Sequence, residues 1–531
     1  MIRGFWLLAL AAPAAVSAQQ GLLPLSGTVD APWTALLHRP DVRAHSAVRP
    51  YFREDLNALA AADTVLPHAW KPWMERMTDP ANRWYGGPLV NALAGASFGE
   101  KDVFKYRTGL GGWVGWNATP RLTFGFDVEG WTETLPNYLD SAARASEVTP
   151  GEGYAYRSGN AVAHYDWNAY ADYKAGEYFH FTLGKGRNFI GEGYRSLFLS
   201  DEAYSYPYFK ITTTAWHIRY VNLFTLMDDI RGAGGDPTHF AKKFTSMHYL
   251  SWNITKRLNV GLFEAIVWQD NDPKYPRGFD LSYVNPVIFY RPVEYGLGSP
   301  DNALLGIALN MKVGKQVQLY SQVILDEFLL KNVRAGDGWY GNKQGVQVGA
   351  VAHDAFHQKG LMLRGEVNYV RPFMYTHTDT RQNYAHYGEP LAHPYGSGFM
   401  EGLVQGEWRH GRWLITDIIS YAIMGRDTTT GPNSSYGNNI FLPEDDRALT
   451  ADGTKPRSYG YYLGEPTQQT VVQNELRAGW IMEPRAGIML ELAWTYRTET
   501  GGEAPSLMTN YLRAGISSNL HNSPRFRTVR R

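Results

Sequence analysis

The stretch FTLGKGRNFIGEGYRSLFLSD, residues 181–201, sets four glycines and two arginines in a short span, the composition of a loop that cradles phosphate. The spacing excludes the two common forms of that loop. G-x-G-x-x-G needs its third glycine three positions after the second, whereas Gly186 is next followed by Gly191. G-x-x-x-x-G-K-[ST] needs a lysine after its second glycine, and Gly191 precedes Glu192. Both loops also open a helix. Here YPYFKITTTAWHIRYVNLF, residues 206–224, is rich in aromatic and β-branched residues and reads as strand.

Other catalytic patterns fail in the same way. There is no G-x-S-x-G and no H-E-x-x-H. HDAFH places His353 and His357 four apart, a metal spacing on a helix. The preceding GVQVGAVA alternates, and on a strand the two histidines would stand about 13 Å apart. The chain has no cysteine, which removes thiolate ligands and cysteine nucleophiles. No enzyme activity, metal or cofactor is expected.

What remains is recognition chemistry. The first stretch carries Arg187, Asn188, Tyr194, Arg195 and Asp201; a second, YPRGFDLSYVNPVIFYRPVEYGLGSPDNALLG, carries Arg277, Asp280, Asn285, Arg291 and Glu294. Planar guanidinium forks beside tyrosine faces suit sugars: the donors take carboxylate or hydroxyl, and the rings cover apolar C–H patches. Arg187, Asn188, Tyr194, Arg195, Asp201, Arg277 and Arg291 are therefore the candidate polysaccharide ligands. The alternative is that these charges pair with one another and brace the interior.

The elements that must position them read as strands. AGIMLELAWTYRTET puts Ile488, Leu490, Leu492, Trp494 and Tyr496 on one face and Glu491, Thr495 and Arg497 on the other. LMLRGEVNYV, HYDWNAYADYK and TNYLRAGISSNL alternate likewise, apolar against polar with period two. A membrane barrel requires this pattern, with apolar residues toward lipid and polar ones toward the lumen. Leu492 is thus expected outward and Glu491 inward, with the luminal glutamate the more tolerant of replacement. Short connections (313–316, 255–259) and long polar ones (132–160, 425–466) match the tight turns and large loops of such barrels. Composition agrees: 34 Tyr, 17 Trp, 23 Phe and 54 Gly, with a net charge of zero that argues against nucleic-acid binding.

The expected architecture is all-β, a transmembrane antiparallel outer-membrane barrel of about 16–18 strands with a short N-terminal helical segment. Residues 1–18, MIRGFWLLALAAPAAVSA, have the layout of a signal peptide. Residues 19–84 read as periplasmic helices, from DAPWTALLHRP, REDLNALAAAD and HAWKPWMERMTD, either closing the near mouth or docked loosely beside it. The barrel follows over 85–520. A basic tail, 521–531, replaces the usual ending on an aromatic of the last strand.

Long ordered stretches carry a resemblance. GKGRNFIGEGYRSLFLSDEAYSYPYFKI, HYLSWNITKRLNVGLFEAIVW, RGFDLSYVNPVIFYRPVEY and LDEF are similar to the Wzi-like capsule-assembly proteins, nearest the gliding-motility RemB branch of Bacteroidota. The likeness runs from AHSAVRPYF at Ala44 through GLVQGEWRHGRW to the last strand. It implies an outer-membrane barrel with periplasmic helices, without catalysis, whose outer face binds capsular polysaccharide. Expected partners are capsular or surface polysaccharide and the lipid and lipopolysaccharide of the outer membrane. A monomer is the expected state. The other function open to such a chain is a porin-like diffusion channel, which differs in keeping a continuous polar path through the lumen.

Overall fold

Alternating apolar and polar residues produce strands that can close on themselves, leaving no bare edge. A computed structural model describes residues 21–61, 83–271, 278–287, 301–427, 431–483, 487–501, 506–518 and 526–530. Eighteen antiparallel strands close into one barrel. They are β1 Trp84–Phe98, β2 Phe104–Thr119, β3 Leu122–Thr134, β4 Ala161–Ala175, β5 Phe179–Gly186, β6 Tyr206–Ala215, β7 Ile218–Asp229, β8 Ala241–Asn253 and β9 Leu258–Gln269. The circuit continues through β10 Asn302–Val313, β11 Val317–Leu325, β12 Gln344–Ala352, β13 Leu361–Val370, β14 Phe399–His410, β15 Trp413–Arg426, β16 Thr467–Glu483, β17 Ile488–Gly501 and β18 Leu507–Ser517. β18 pairs with β1, Ile516 opposite Ala92, and closes it.

The expected facing holds along β17: Leu490, Leu492 and Trp494 are exposed, while Glu491, Thr495 and Arg497 are buried. One mouth carries the tight turns, such as 120–121 and 411–412, and the other the long connections 135–160, 187–205, 371–398 and 427–466. The third helix expected within HAWKPWMERMTD and the segment 1–18 lie outside the described residues.

Among the described residues, much of the lumen is occupied by a protein core. Connection 187–205 turns inward from the end of β5 and packs against 371–398. Leu197, Phe198, Leu199, Tyr375, Tyr384 and Leu391 sit at the centre of the largest apolar cluster. Tyr375 and Tyr384 donate their hydroxyls to the carbonyls of Leu197 and Phe198 at 2.8 and 2.7 Å.

A second level of packing lies inside the short-turn mouth. Helix α1, Gly27–Leu37, buries Val29, Trp33, Leu36 and Leu37 against Leu89, Trp113, Leu414, Ile481 and Met489 of the inner wall. Lys312 of β10 caps its end, donating to the carbonyls of Leu37, Arg39 and Val42 at 2.6, 3.1 and 2.8 Å, where the helix dipole favours a cation. Val48–Arg49 then pair with Phe189–Ile190, so the N-terminal segment is threaded into the luminal connection rather than loosely docked.

Helix α2, Arg53–Ala61, is pinned by charge. Glu54 accepts from Lys174 at 2.6 Å and meets His180 at 2.9 Å; Arg219 reaches Asp55 at 2.7 Å. Burial opposes ionisation of Glu54, but His180 and Lys174 outweigh it and hold the carboxyl at about 2. A folded value below the unfolded one contributes stability above about pH 4.3, lost as pH falls toward 2. Acidification through that window is expected to raise protease cleavage within residues 21–61 while the barrel stays heat-modifiable on gels. Glu54→Gln should do the same at neutral pH, and equal cleavage of variant and parent would remove the pinning role.

Candidate functional site

The glycine–arginine stretch has an internal role. Gly193 lets the backbone pass so close to the wall that a Cβ would collide with the Glu366 carboxylate and the Arg195 carbonyl. Glu366 thereby accepts the backbone N–H of Tyr194 at 2.9 Å and of Arg195 at 3.2 Å, with Tyr320 and Asn368 completing its partners.

Arg195, 1% exposed, donates to Glu202 at 2.6 Å and Thr528 at 2.7 Å. Its Nε lies 3.5 Å from Glu401, and its guanidinium faces the rings of Tyr194 and Phe526. Arg187 is buried against Asp166 at 3.1 Å and the Gly151 carbonyl. Asn188 accepts from Lys210 at 2.9 Å. Tyr194 and Asp201 are half-buried on the same connection, while Arg277 and Arg291 lie outside the described residues. Both arginines are thus spent on interior partners. Of the two roles open from sequence, this geometry is that of a brace: a saccharide could reach them only by displacing buried ion pairs.

The basic tail belongs to the same interior. Phe526 packs with Leu403 and Ile418. Arg527 bonds Glu133 at 3.0 Å and Glu152 at 2.7 Å. Arg530 is held by the carbonyls of Tyr395, Ser397, Gly398, Gly425 and Asn438. Residues 526–530 therefore climb the lumen toward the long-loop mouth. Glu133, Glu152 and His164 bring ligand atoms within 4.8 Å of one another, a possible metal geometry. Arg107 and Arg527 each bond both carboxylates, so this group is a salt-bridge network that a cation would have to dismantle. A charged cavity of about 100 Å³ remains beside it, lined in part by Glu475, Glu491 and Arg513. His353 and His357 do not converge. His353 instead meets His38 of the N-terminal segment at 2.9 Å, a contact that only the folded chain creates.

Guanidinium–tyrosine contacts also occur where connections 326–343 and 427–466 meet at the long-loop mouth, with Tyr340, Tyr436, Arg447 and Arg457 half-buried and Tyr461 buried. Arg447 lies 3.7 Å over the Tyr340 ring; Arg457 lies 4.4 Å over Tyr461 and 5.0 Å over Tyr436. Tyr459 and Tyr462 are 52% and 48% exposed beside them. The sequence signal is the tyrosine–glycine run RSYGYYLGEP, residues 457–466, which reads as loop and lacks the clustered glycine–arginine pattern of 181–201.

No protein-family model matches the chain, and no curated protein matches its sequence. Among solved structures, Wzi of Escherichia coli, described as an outer-membrane carbohydrate-binding β-barrel involved in group 1 capsule assembly, superposes with a TM-score of 0.57. The match covers 94% of this chain and 99% of that one at 13% identity. This chain has the Wzi-like fold. OprD and OccK8 (OprE) of Pseudomonas aeruginosa match at TM-scores of 0.42 and 0.41, with 9% and 10% identity. Each covers 82% of this chain, and 94% and 97% of the respective partner. At that level the porin likenesses carry no argument about this Wzi-like barrel.

Proposed function

We propose that this protein is an outer-membrane barrel, exported by the signal segment at 1–18, that binds surface or capsular polysaccharide at its long-loop mouth and retains or assembles it there. The packed lumen carries this reading: a barrel filled by its own connections offers a surface rather than a path. The Wzi-like fold supports it. Catalysis has no part in the proposal, nor does a metal or cofactor. Kinship with the RemB branch, and with it support of gliding motility, rests on the sequence stretches alone.

The test is binding of the purified barrel to polysaccharide from its own cells, beside conductance in planar bilayers. Retention of polysaccharide with no steady current is expected. Arg457→Ala combined with Tyr459→Ala should weaken retention about tenfold or more, the loss of one charge-assisted hydrogen bond and one ring face, without altering heat-modifiable migration. Large steady currents without polysaccharide binding would instead establish the diffusion channel.

A further inference from the structure

The barrel wall is not of even height. β4 runs for 15 residues and β7 for 12, but β5 and β6 between them run for 8 and 10. β5 pairs with β4 only as far as Lys185 opposite Ala169, and β6 with β7 only as far as Tyr208 opposite Thr225. Above that line, residues 164–168 of β4 and 226–229 of β7 flank a notch. Ala169 stands about 15 Å above Ala175 on a tilted strand, so the notch opens in the upper half of an apolar band about 25 Å tall.

Bare strand edges do not persist in hydrocarbon, and side chains together with the backbone of the luminal connection 371–398 bond to these ones. Lys185 donates to the Trp167 carbonyl at 2.9 Å and the Tyr204 hydroxyl to the Tyr165 carbonyl at 3.2 Å. Across the notch the Asp228 N–H donates to His386 at 3.0 Å, and the Tyr387 N–H to the Asp228 carbonyl at 2.7 Å.

Rings line both flanks. Tyr156 and Tyr165, 43% and 51% exposed, stack with centroids 6.4 Å apart, and Tyr154 meets Tyr156 edge-on at 4.9 Å. Tyr387 packs on Tyr204 at 4.6 Å. Directly below, the outer wall is hollowed into an almost wholly apolar groove of about 550 Å³. Ala169 and Ala171, the small residues of the outward face of β4, form its floor. Phe124 and Phe126 rise on one side, Leu183 on the other, and Trp167 stands at the top.

We propose that notch and groove form one membrane-facing site for an acylated saccharide, with the chain over Ala169 and Ala171 and the sugar against Tyr156 and Tyr165. The continuity of an apolar trough with an aromatic, hydroxyl-bearing head region selects this occupant. A phospholipid would fill the trough equally well, and a choline head would lie on the ring faces as a cation, but a sugar presents C–H patches to the rings and hydroxyls to the tyrosine O–H groups together. The inference rests on the saccharide reading above and narrows it to amphiphiles.

The test titrates the full-length barrel in amphipol with tetradecyl glucoside, galactoside and glucuronide, with their parent sugars, and with tetradecylphosphocholine. At least one glycoside is expected to bind about tenfold or more tighter than both its sugar and the phosphocholine. Ala169→Phe with Ala171→Phe keeps the wall apolar while filling the trough, and should cost about tenfold. Tyr156→Ala with Tyr165→Ala should weaken the glycoside about tenfold or more. Heat-modifiable migration checks that each variant is folded. Equal binding of phosphocholine and every glycoside to the parent protein, or no effect of the filled trough, overturns the site. If polysaccharide still binds while every glycoside fails, this site alone falls. If the parent protein binds no polysaccharide, the proposed function falls with it.

Discussion

Replacing Arg195 by methionine is expected to cost the folded barrel about 3–5 kcal/mol, the penalty for breaking a buried ion pair by removing one partner. The guanidinium is enclosed at the junction of three luminal pieces. Glu202 belongs to its own connection, Glu401 to the wall on β14, and Thr528 to the tail. Methionine fills similar space but leaves Glu202 with no cation in contact among the described residues and Thr528 without the Arg195 donor. Glu401 keeps His393 at 2.6 Å and Ser420 at 2.7 Å. Adding Glu202→Gln should recover part of the loss, since it removes the stranded charge. The measurement is the urea or temperature midpoint of the heat-modifiable band, taken together with polysaccharide retention below that midpoint. A lowered midpoint with retention intact is the expected pair of results. Lost retention at an unchanged midpoint would return Arg195 to the ligand set.

Leu492→Arg is expected to cost about 2–4 kcal/mol, the range for a cation on the lipid face near the midplane. Leu492 is 52% exposed on the outer surface between Leu490 and Trp494, about 10 Å in height above the short-turn end of the tilted β17. Its neighbour on the opposite face behaves differently from the sequence expectation. A luminal glutamate in an open pore would tolerate arginine, but Glu491 is 5% exposed, accepts from Ser517 at 2.6 Å and lies 3.7 Å from Arg513. Glu491→Arg would set two guanidiniums together beside the charged luminal cavity, so it too should destabilise. Glu491→Gln is the informative control. It keeps the Ser517 contact and leaves Arg513 with Glu475 at 3.3 Å, so it should cost less than either arginine. Folding yields into bilayers that do not distinguish Leu492→Arg from Glu491→Gln would contradict the facing of β17.

The barrel was legible in the chain because period-two alternation is a local property, written out strand by strand in segments such as AGIMLELAWTYRTET and HYDWNAYADYK. Turn lengths distinguished the two mouths for the same reason. Residues 187–205 were recognisable as a glycine-rich connection, since neither phosphate-loop spacing nor a following helix was present.

Where that connection goes is not a local property. Nothing within GEGYRSL indicates that Glu366 will hold its amides, that Glu401 will face Arg195, or that a tail more than 300 residues away will supply Thr528. Those partners are set by strand register around a closed circuit, and register is a relation between segments rather than a feature of any one. The same holds for the notch. β5 and β6 each read as ordinary strands, and only their pairing beside the longer β4 and β7 makes a gap in the wall. Local chemistry sets which face of each strand meets lipid. Closure of the barrel decides which charges are buried as braces, and which rings remain on the outside.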